Sequence, residues 1–416
     1  MAQLGVCRLE SSQVKRQMAR IRSTKPPGRS HRPSKQALPA WLGVLAIAMA
    51  ACGGSQPVAI SHTPIPTASG GTGSFDVVEI DQAAHRLYVA DRTNRGVDVF
   101  YISTAQPKYV ATIPVPSSPN GLAIAPDLDR LFVGTETGSV AIIDVNPLSK
   151  NHDKVINEVT TGAKKADLLD YGANRQRLYV SSSTEGLVTS IDPATGAVKA
   201  HFTVGYAIEQ PRYDPVDGMV YATSPDANAL FKIDPNVGMV TKIPLGGSCQ
   251  PTGMAINPKT NTAVIACRSF VVSWDLGNGT AQTFTQVAGG DVVSYDAKVD
   301  RFLVASPTST LIGLYGGNPV DYVGSVVTGS HGNSAAYDET NDIVYTPDSR
   351  PNTVGIASFR PPATTPGWET SVLTIGPFAG GLAALVLLMF VLVGRSADPV
   401  RRQVPALEPH AKRRLD

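Results

Sequence analysis

The chain is poor in the residues that most often carry chemistry. Its 416 residues include four cysteines, three tryptophans and seven histidines. No His-x-His, His-Glu-x-x-His or paired-carboxylate spacing occurs, so no metal-hydrolase helix or acid–base pair is visible. A Cys-x-x-Cys-His segment for haem attachment is also missing. Accordingly no residue is assigned as catalytic, no metal ligand set is assigned, and the cofactor is left open. Aromatic residues make up 6%, whereas glycine (38) and proline (32) are plentiful. That balance suits many short strands joined by turns and disfavours long helices.

Charge is unevenly spread behind a formal net charge of +2. Nine basic residues from Arg8 to Lys35 face only Glu10, and the C-terminal tail carries six, including Arg395, Arg401 and Arg402, against three acids. Between them lie 21 basic and 30 acidic residues, a net −9. An acidic body repels phosphate backbones, which excludes nucleic acid as the expected partner.

Residues 1–37 read as a basic, polar, disordered leader. Residues 38–52 follow as an apolar run too short to span a bilayer comfortably, the length of a signal-peptide core. The run closes as Met49-Ala50-Ala51-Cys52-Gly53, which resembles the bacterial lipoprotein signal. The resemblance implies lipidation of Cys52; ordinary cleavage or an uncleaved anchor is the alternative. At the other end, residues 361–370 form a Pro- and Thr-rich tether. Residues 371–394 are an uncharged run long enough for a transmembrane helix, with a Gly376-x-x-x-Gly380 pattern that can bring helices together. Residues 395–416 are a basic tail, placed in the cytoplasm by the positive-inside rule. The expected location is a bacterial cytoplasmic membrane, with the intervening domain outside.

That domain, residues 56–360, is built from a unit of about forty residues. One short strand recurs as Leu87-Tyr88-Val89-Ala90, Leu131-Phe132-Val133-Gly134, Leu178-Tyr179-Val180-Ser181 and Val220-Tyr221-Ala222-Thr223. It continues as Val264-Ile265-Ala266-Cys267, Phe302-Leu303-Val304-Ala305 and Val344-Tyr345-Thr346-Pro347. These strands run apolar without alternation, as expected of a sheet covered on both faces. Four short strands per unit and seven units give an all-β, seven-bladed β-propeller carrying a C-terminal transmembrane helix. The Leu-Tyr-Val-Ala/Ser strand resembles the YVTN family of extracytoplasmic and cell-surface propellers. No Trp-Asp dipeptide recurs, Trp274-Asp275 being single, and the quinoprotein-like Asp192-Pro193-Ala194-Thr195-Gly196 lacks its Trp, leaving a hairpin turn.

The seventh unit runs into Arg360-Pro361-Pro362 without a fourth strand. Val58-Ala59-Ile60-Ser61-His62-Thr63-Pro64 resembles the fourth strand of the first unit, so residues 56–66 are expected to close the ring. The face with the inter-blade loops then points away from the membrane. Its candidate binding residues are Asn120, Lys164, Gln210, Gln250, Asp291 and His331. Each also reads as an ordinary solvated loop residue, and His85 and His201 read as surface residues. Cys249 and Cys267 fall on one hairpin, about three residues out of direct register. A disulfide is expected in an exported domain, with two buried free thiols the alternative. The functional expectation is a binding or interaction module for a protein or small-molecule ligand. A metal-dependent lactonase or lyase of the propeller kind and a structural cell-surface protein are the alternatives.

Overall fold

The computed structural model describes residues 58–66 and 71–362. Cys7, the leader, Cys52 and the runs at 38–52 and 371–394 lie outside the described residues, and so do the calls that rest on them. Among the described residues, no helix is long and apolar enough to cross a membrane.

Seven four-stranded antiparallel sheets form the seven blades of a β-propeller. The innermost strands are Phe75–Asp81, Pro119–Ala125, Leu169–Gly172, Pro211–Tyr213, Met254–Asn257, Val293–Asp296 and Ala336–Asp338. In the first six sheets the strands follow chain order from centre to rim. The seventh takes its rim strand from the start of the domain, because Ser61–Pro64 pairs antiparallel with Gly355–Phe359, Ser61 opposite Ser358 and Pro64 opposite Gly355. Residues 58–60 and 360–362 therefore leave the ring side by side, on the face that carries the turns between first and second and between third and fourth strands.

The repeated strand is apolar on both faces because both are buried. The side chains of Leu87, Tyr88, Leu131, Phe132, Leu178, Tyr179, Val344 and Tyr345 are fully enclosed. The core is accordingly seven wedges between neighbouring sheets. Phe132 and Val140 meet Leu178 and Val180 between blades 2 and 3, while Ile65 and Phe75 meet Tyr345 and Ile356 between blades 7 and 1.

Much of the domain's acidity is structural. Asp192, Asp234 and Asp275 each open a turn between third and fourth strands, where a carboxylate oxygen accepts backbone N–H groups two or three residues on. Examples are Ala194 at 3.1 Å, Asn236 at 2.8 Å and Gly277 at 2.8 Å. Each turn ends on a glycine with φ near +75°, at Gly196, Gly238 and Gly279, which a side-chain-bearing residue adopts only under strain.

Cys249 and Cys267 are joined by a disulfide, with Cα atoms 4.6 Å apart. The ladder pairs Met254 with Ile265, which alone leaves the two cysteines three positions out of register. The segment 249–253 takes up the offset. Thr252 donates to the Ala266 carbonyl and Arg268 to the Cys249 carbonyl, with Gln250 between them at φ +48°.

Candidate functional site

The innermost strands begin on the inter-blade-loop face, so residues at or just before their first positions converge on the axis. Asp76, Asp167, Glu209 and Asp291 arrive there from blades 1, 3, 4 and 6. Two cations answer them. Arg92 pairs with Asp76, and Lys165 Nζ lies 3.1 Å from Asp167 Oδ1. Glu209 and Asp291 have no side-chain hydrogen bond or ion pair among the described residues, so four carboxylates share two cations.

Uncharged side chains lock this arrangement. Asn120 Oδ1 accepts from Arg92 Nη2 at 2.9 Å, and its Nδ2 donates to the Ala166 carbonyl of the next blade at 3.0 Å. Asn333 Nδ2 donates to Asp76 Oδ1 at 3.0 Å, and Ser334 donates to the Asp76 carbonyl at 2.7 Å, tying blade 7 to blade 1. Gln210 reaches from blade 4 to the next two blades. Its Oε1 accepts from Met254 N at 2.8 Å and Val293 N at 3.1 Å, while Nε2 donates to the Val293 carbonyl at 3.1 Å. Arg212, two residues further along the chain, reaches Asp170 at 3.3 Å and the Val293 carbonyl at 3.2 Å. Polar side chains thus link the inner ends of the blades beneath the carboxylates. Gly253 permits the close approach, since a Cβ there would stand 2.0 Å from the Asp291 carbonyl oxygen.

Burial and mutual repulsion act together on the unpaired acids. Enclosure, followed by the charges of Asp167 and Asp291, raises the Glu209 carboxyl to about 7. Enclosure and then Asp76 and Asp167 raise Asp291 to about 7. Asp76 is also raised, because its burial outweighs the pull of Arg92. At neutral pH the site sits at the edge of accepting or releasing protons. Among the described residues, no three His, Cys, Asp or Glu side chains stand close enough to hold a metal ion.

A groove of about 430 Å³ runs outward from the mouth over blades 4 to 6, between loops carrying Pro225, Gln250, Arg268, Gly290, Asp291 and Pro307. The Cys249–Cys267 disulfide fixes the chain on one wall, where Arg268 Nη1 donates to Gln250 Oε1 at 3.3 Å. A smaller cavity of about 250 Å³ opens at the opposite end of the axis beside Glu79, whose carboxyl burial raises to about 7 despite Arg212.

The six residues singled out from the sequence separate into three groups. Asn120 and Gln210 are buried struts with their polar atoms satisfied. Asp291 stands at the mouth and Gln250 on the groove wall. Lys164 and His331 are exposed on the same face, the His331 ring 3.2 Å from the Pro307 carbonyl, and they do not join the carboxylates. Sequence reasoning passed over Asp76, Arg92, Asp167 and Glu209. Their shared signal is positional: three acids lie within two residues of the start of an innermost strand.

No protein-family model matches the chain, and no curated protein sequence matches it. Solved structures match through the fold. A chain from the crystal structure of the mitotic checkpoint complex superimposes with TM-score 0.60 at 12% identity, covering 82% of this chain and 97% of that one. A catalytically inactive variant of virginiamycin B lyase from Staphylococcus aureus, crystallised with quinupristin, superimposes with TM-score 0.58 at 11% identity. That match covers 73% of this chain and all of the lyase chain.

Proposed function

We propose that this chain is an extracytoplasmic propeller of the YVTN type, anchored to a bacterial cytoplasmic membrane, that binds a partner through its inter-blade-loop face. The observation that carries the reading is Asp291, a carboxylate without a partner among the described residues that lines the groove and stands in the field of Asp76 and Asp167. Holding like charges together costs folding free energy, and such an arrangement is retained where a ligand uses it. The opposite face supports the membrane orientation. The described segments 58–60 and 360–362 both leave from it, and in sequence they adjoin the stretches that lead to the signal-like run and to the apolar run at 371–394. Its turns also expose Leu148, Val216, Val237 and Met239. A protein-binding propeller also accords with the checkpoint complex among the structural neighbours.

A photo-crosslinking residue placed in the full-length protein in intact cells tests this. Positions Gln250 and His331 should yield a discrete adduct, whereas Leu148 and Val237 on the opposite turns should not. Equal labelling from both faces, or none from Gln250 and His331, rejects the reading.

A further inference from the structure

We propose that a cavity between blades 6 and 7 binds a small organic carboxylate, with its head on Arg301 and its apolar body against the blade 6–7 core. The site is separate from the inter-blade-loop face, since it lies at the turn end of these blades, where segment 360–362 leaves the ring. The blades themselves supply the comparison. Blades 1, 2, 3 and 6 each begin the second strand with an arginine, at Arg86, Arg130, Arg177 and Arg301. The first three meet an acid: Arg86 reaches Asp153 at 2.8 Å, Arg130 reaches Asp144 at 3.3 Å and Arg177 lies 4.0 Å from Asp192. In blade 2 that acid is the residue directly opposite on the third strand. In blade 6 Phe302 faces Tyr315, which puts Gly316 opposite Arg301. The cation is kept there and its acid is gone.

Nothing among the described residues replaces that acid. Arg301 is half-buried and makes no side-chain hydrogen bond or ion pair there. Asp300 acts on it only through space, its carboxylate being engaged by Asn257, Tyr295 and the Gly317 N–H. A Cβ on Gly316 would stand 3.1 Å from Arg301 Nη1 and 2.3 Å from the Asp300 carbonyl oxygen, so the backbone leaves no room for an internal carboxylate at that position. Arg301 instead lines a cavity of about 280 Å³ whose other walls are apolar, formed by Leu303, Leu314 and Val344 of the blade 6–7 core with Val299 and Val323 beside them. Asp342 also lines the cavity, but it accepts from Tyr337 Oη at 2.7 Å and Arg360 Nη1 at 3.1 Å and is thereby balanced. A carboxylate matches the paired N–H donors of the guanidinium and is the group that Asp144 supplies in blade 2. The apolar walls call for hydrocarbon behind that head.

The test uses the full-length protein in lipid nanodiscs at neutral pH, with hexanoate, acetate, hexanol and hexyl phosphate as probes. Titration calorimetry should show one hexanoate site per chain, with acetate and hexanol each weaker by about tenfold or more. Arg301→Met should weaken hexanoate by about tenfold or more and leave hexanol unchanged. It should melt no lower than the parent, because the cation it removes has no partner to lose. Val323→Phe, which fills the apolar end and keeps the arginine, should weaken hexanoate and hexanol together. Hexanol binding as tightly as hexanoate, or unchanged hexanoate affinity in Arg301→Met, overturns the assignment of the head to Arg301. Acetate binding as tightly as hexanoate overturns the apolar body, and hexyl phosphate binding more tightly than hexanoate overturns the carboxylate. Failure of hexanoate to bind at millimolar concentration overturns the inference outright. The crosslinking result concerns the opposite face and stands separately from all of these.

Discussion

Removing residues 58–66 takes away the rim strand of blade 7 and uncovers Gly355–Phe359, five residues that are otherwise buried. Burial of Ile65, 7% exposed, is worth about 2 kcal/mol, and the packing of Val58 and Ile60 against the blade 6–7 core about 2 more. The ladder to Gly355–Phe359, with the Ile65 N–H to the Val354 carbonyl at 3.1 Å, adds about 1 kcal/mol net per hydrogen bond. A loss of about 6 kcal/mol in a ring of this size should lower Tm by about 10 °C. The new edge is also a template for another chain. Circular dichroism melting and sedimentation velocity on the full-length protein and the deletion variant measure both effects. The variant should melt early and form dimers, and a synthetic peptide of residues 58–66 added in trans should recover part of the lost Tm. A variant that melts within 2 °C of the parent as a monomer would refute the argument that this strand closes the ring.

Three further outcomes follow from the same contacts. Tyr88, Tyr179 and Tyr315 bury hydroxyls that find no partner, whereas Tyr221 donates to Asp217 at 2.7 Å. Tyr→Phe at any of the first three should therefore raise stability by about 1 kcal/mol, and Tyr221→Phe should lower it by about as much, read by urea denaturation. Glu209 and Asp291, facing Asp76, Asp167, Arg92 and Lys165, hold protons in the folded state up to about pH 7, well above their unfolded values. The native state then binds more protons than the unfolded one between about pH 4 and 7, so stability falls as pH rises through that window. The Glu209→Gln, Asp291→Asn double variant should flatten that slope of Tm against pH. The Cys249–Cys267 bridge closes a loop of sequence separation 18, worth about 3 kcal/mol on chain entropy. Reduction under native conditions should lower Tm by several degrees and weaken binding in the groove whose wall it holds; an unchanged Tm would show that the loop needs no staple.

The fold was legible because a propeller repeats its constraints. Each unit buries one strand on both faces, and burial writes the apolar Leu-Tyr-Val pattern seven times, with turns marked by Asp at the start and Gly at the end. The seventh unit was informative through what it lacked after Phe359. The disulfide geometry was harder to see, since the offset between Cys249 and Cys267 is absorbed by a left-handed Gln250 that no pattern announces. The site was mostly hidden for a different reason. Asp76, Asp167, Glu209 and Asp291 come from four blades, and their chain separations carry no motif spacing. Asn120 and Gln210 look in sequence like any loop amide, yet convergence on the axis turns them into buried struts.

The site also explains why so strained a centre survives in an otherwise well-satisfied ring. Asn120, Gln210, Arg212, Asn333 and Ser334, with Arg92 bonded to Asn120, tie all seven blades into one network around the axis. Such a network resists the outward movement by which like charges would relax, and protonation becomes the remaining release. Ionising Glu209 and Asp291 therefore weakens the fold, and Tm should decline as pH rises from about 4 to 7. A Tm that stayed level or rose from about pH 4 to 7 would show that burial and mutual repulsion do not hold these carboxyls protonated in the fold.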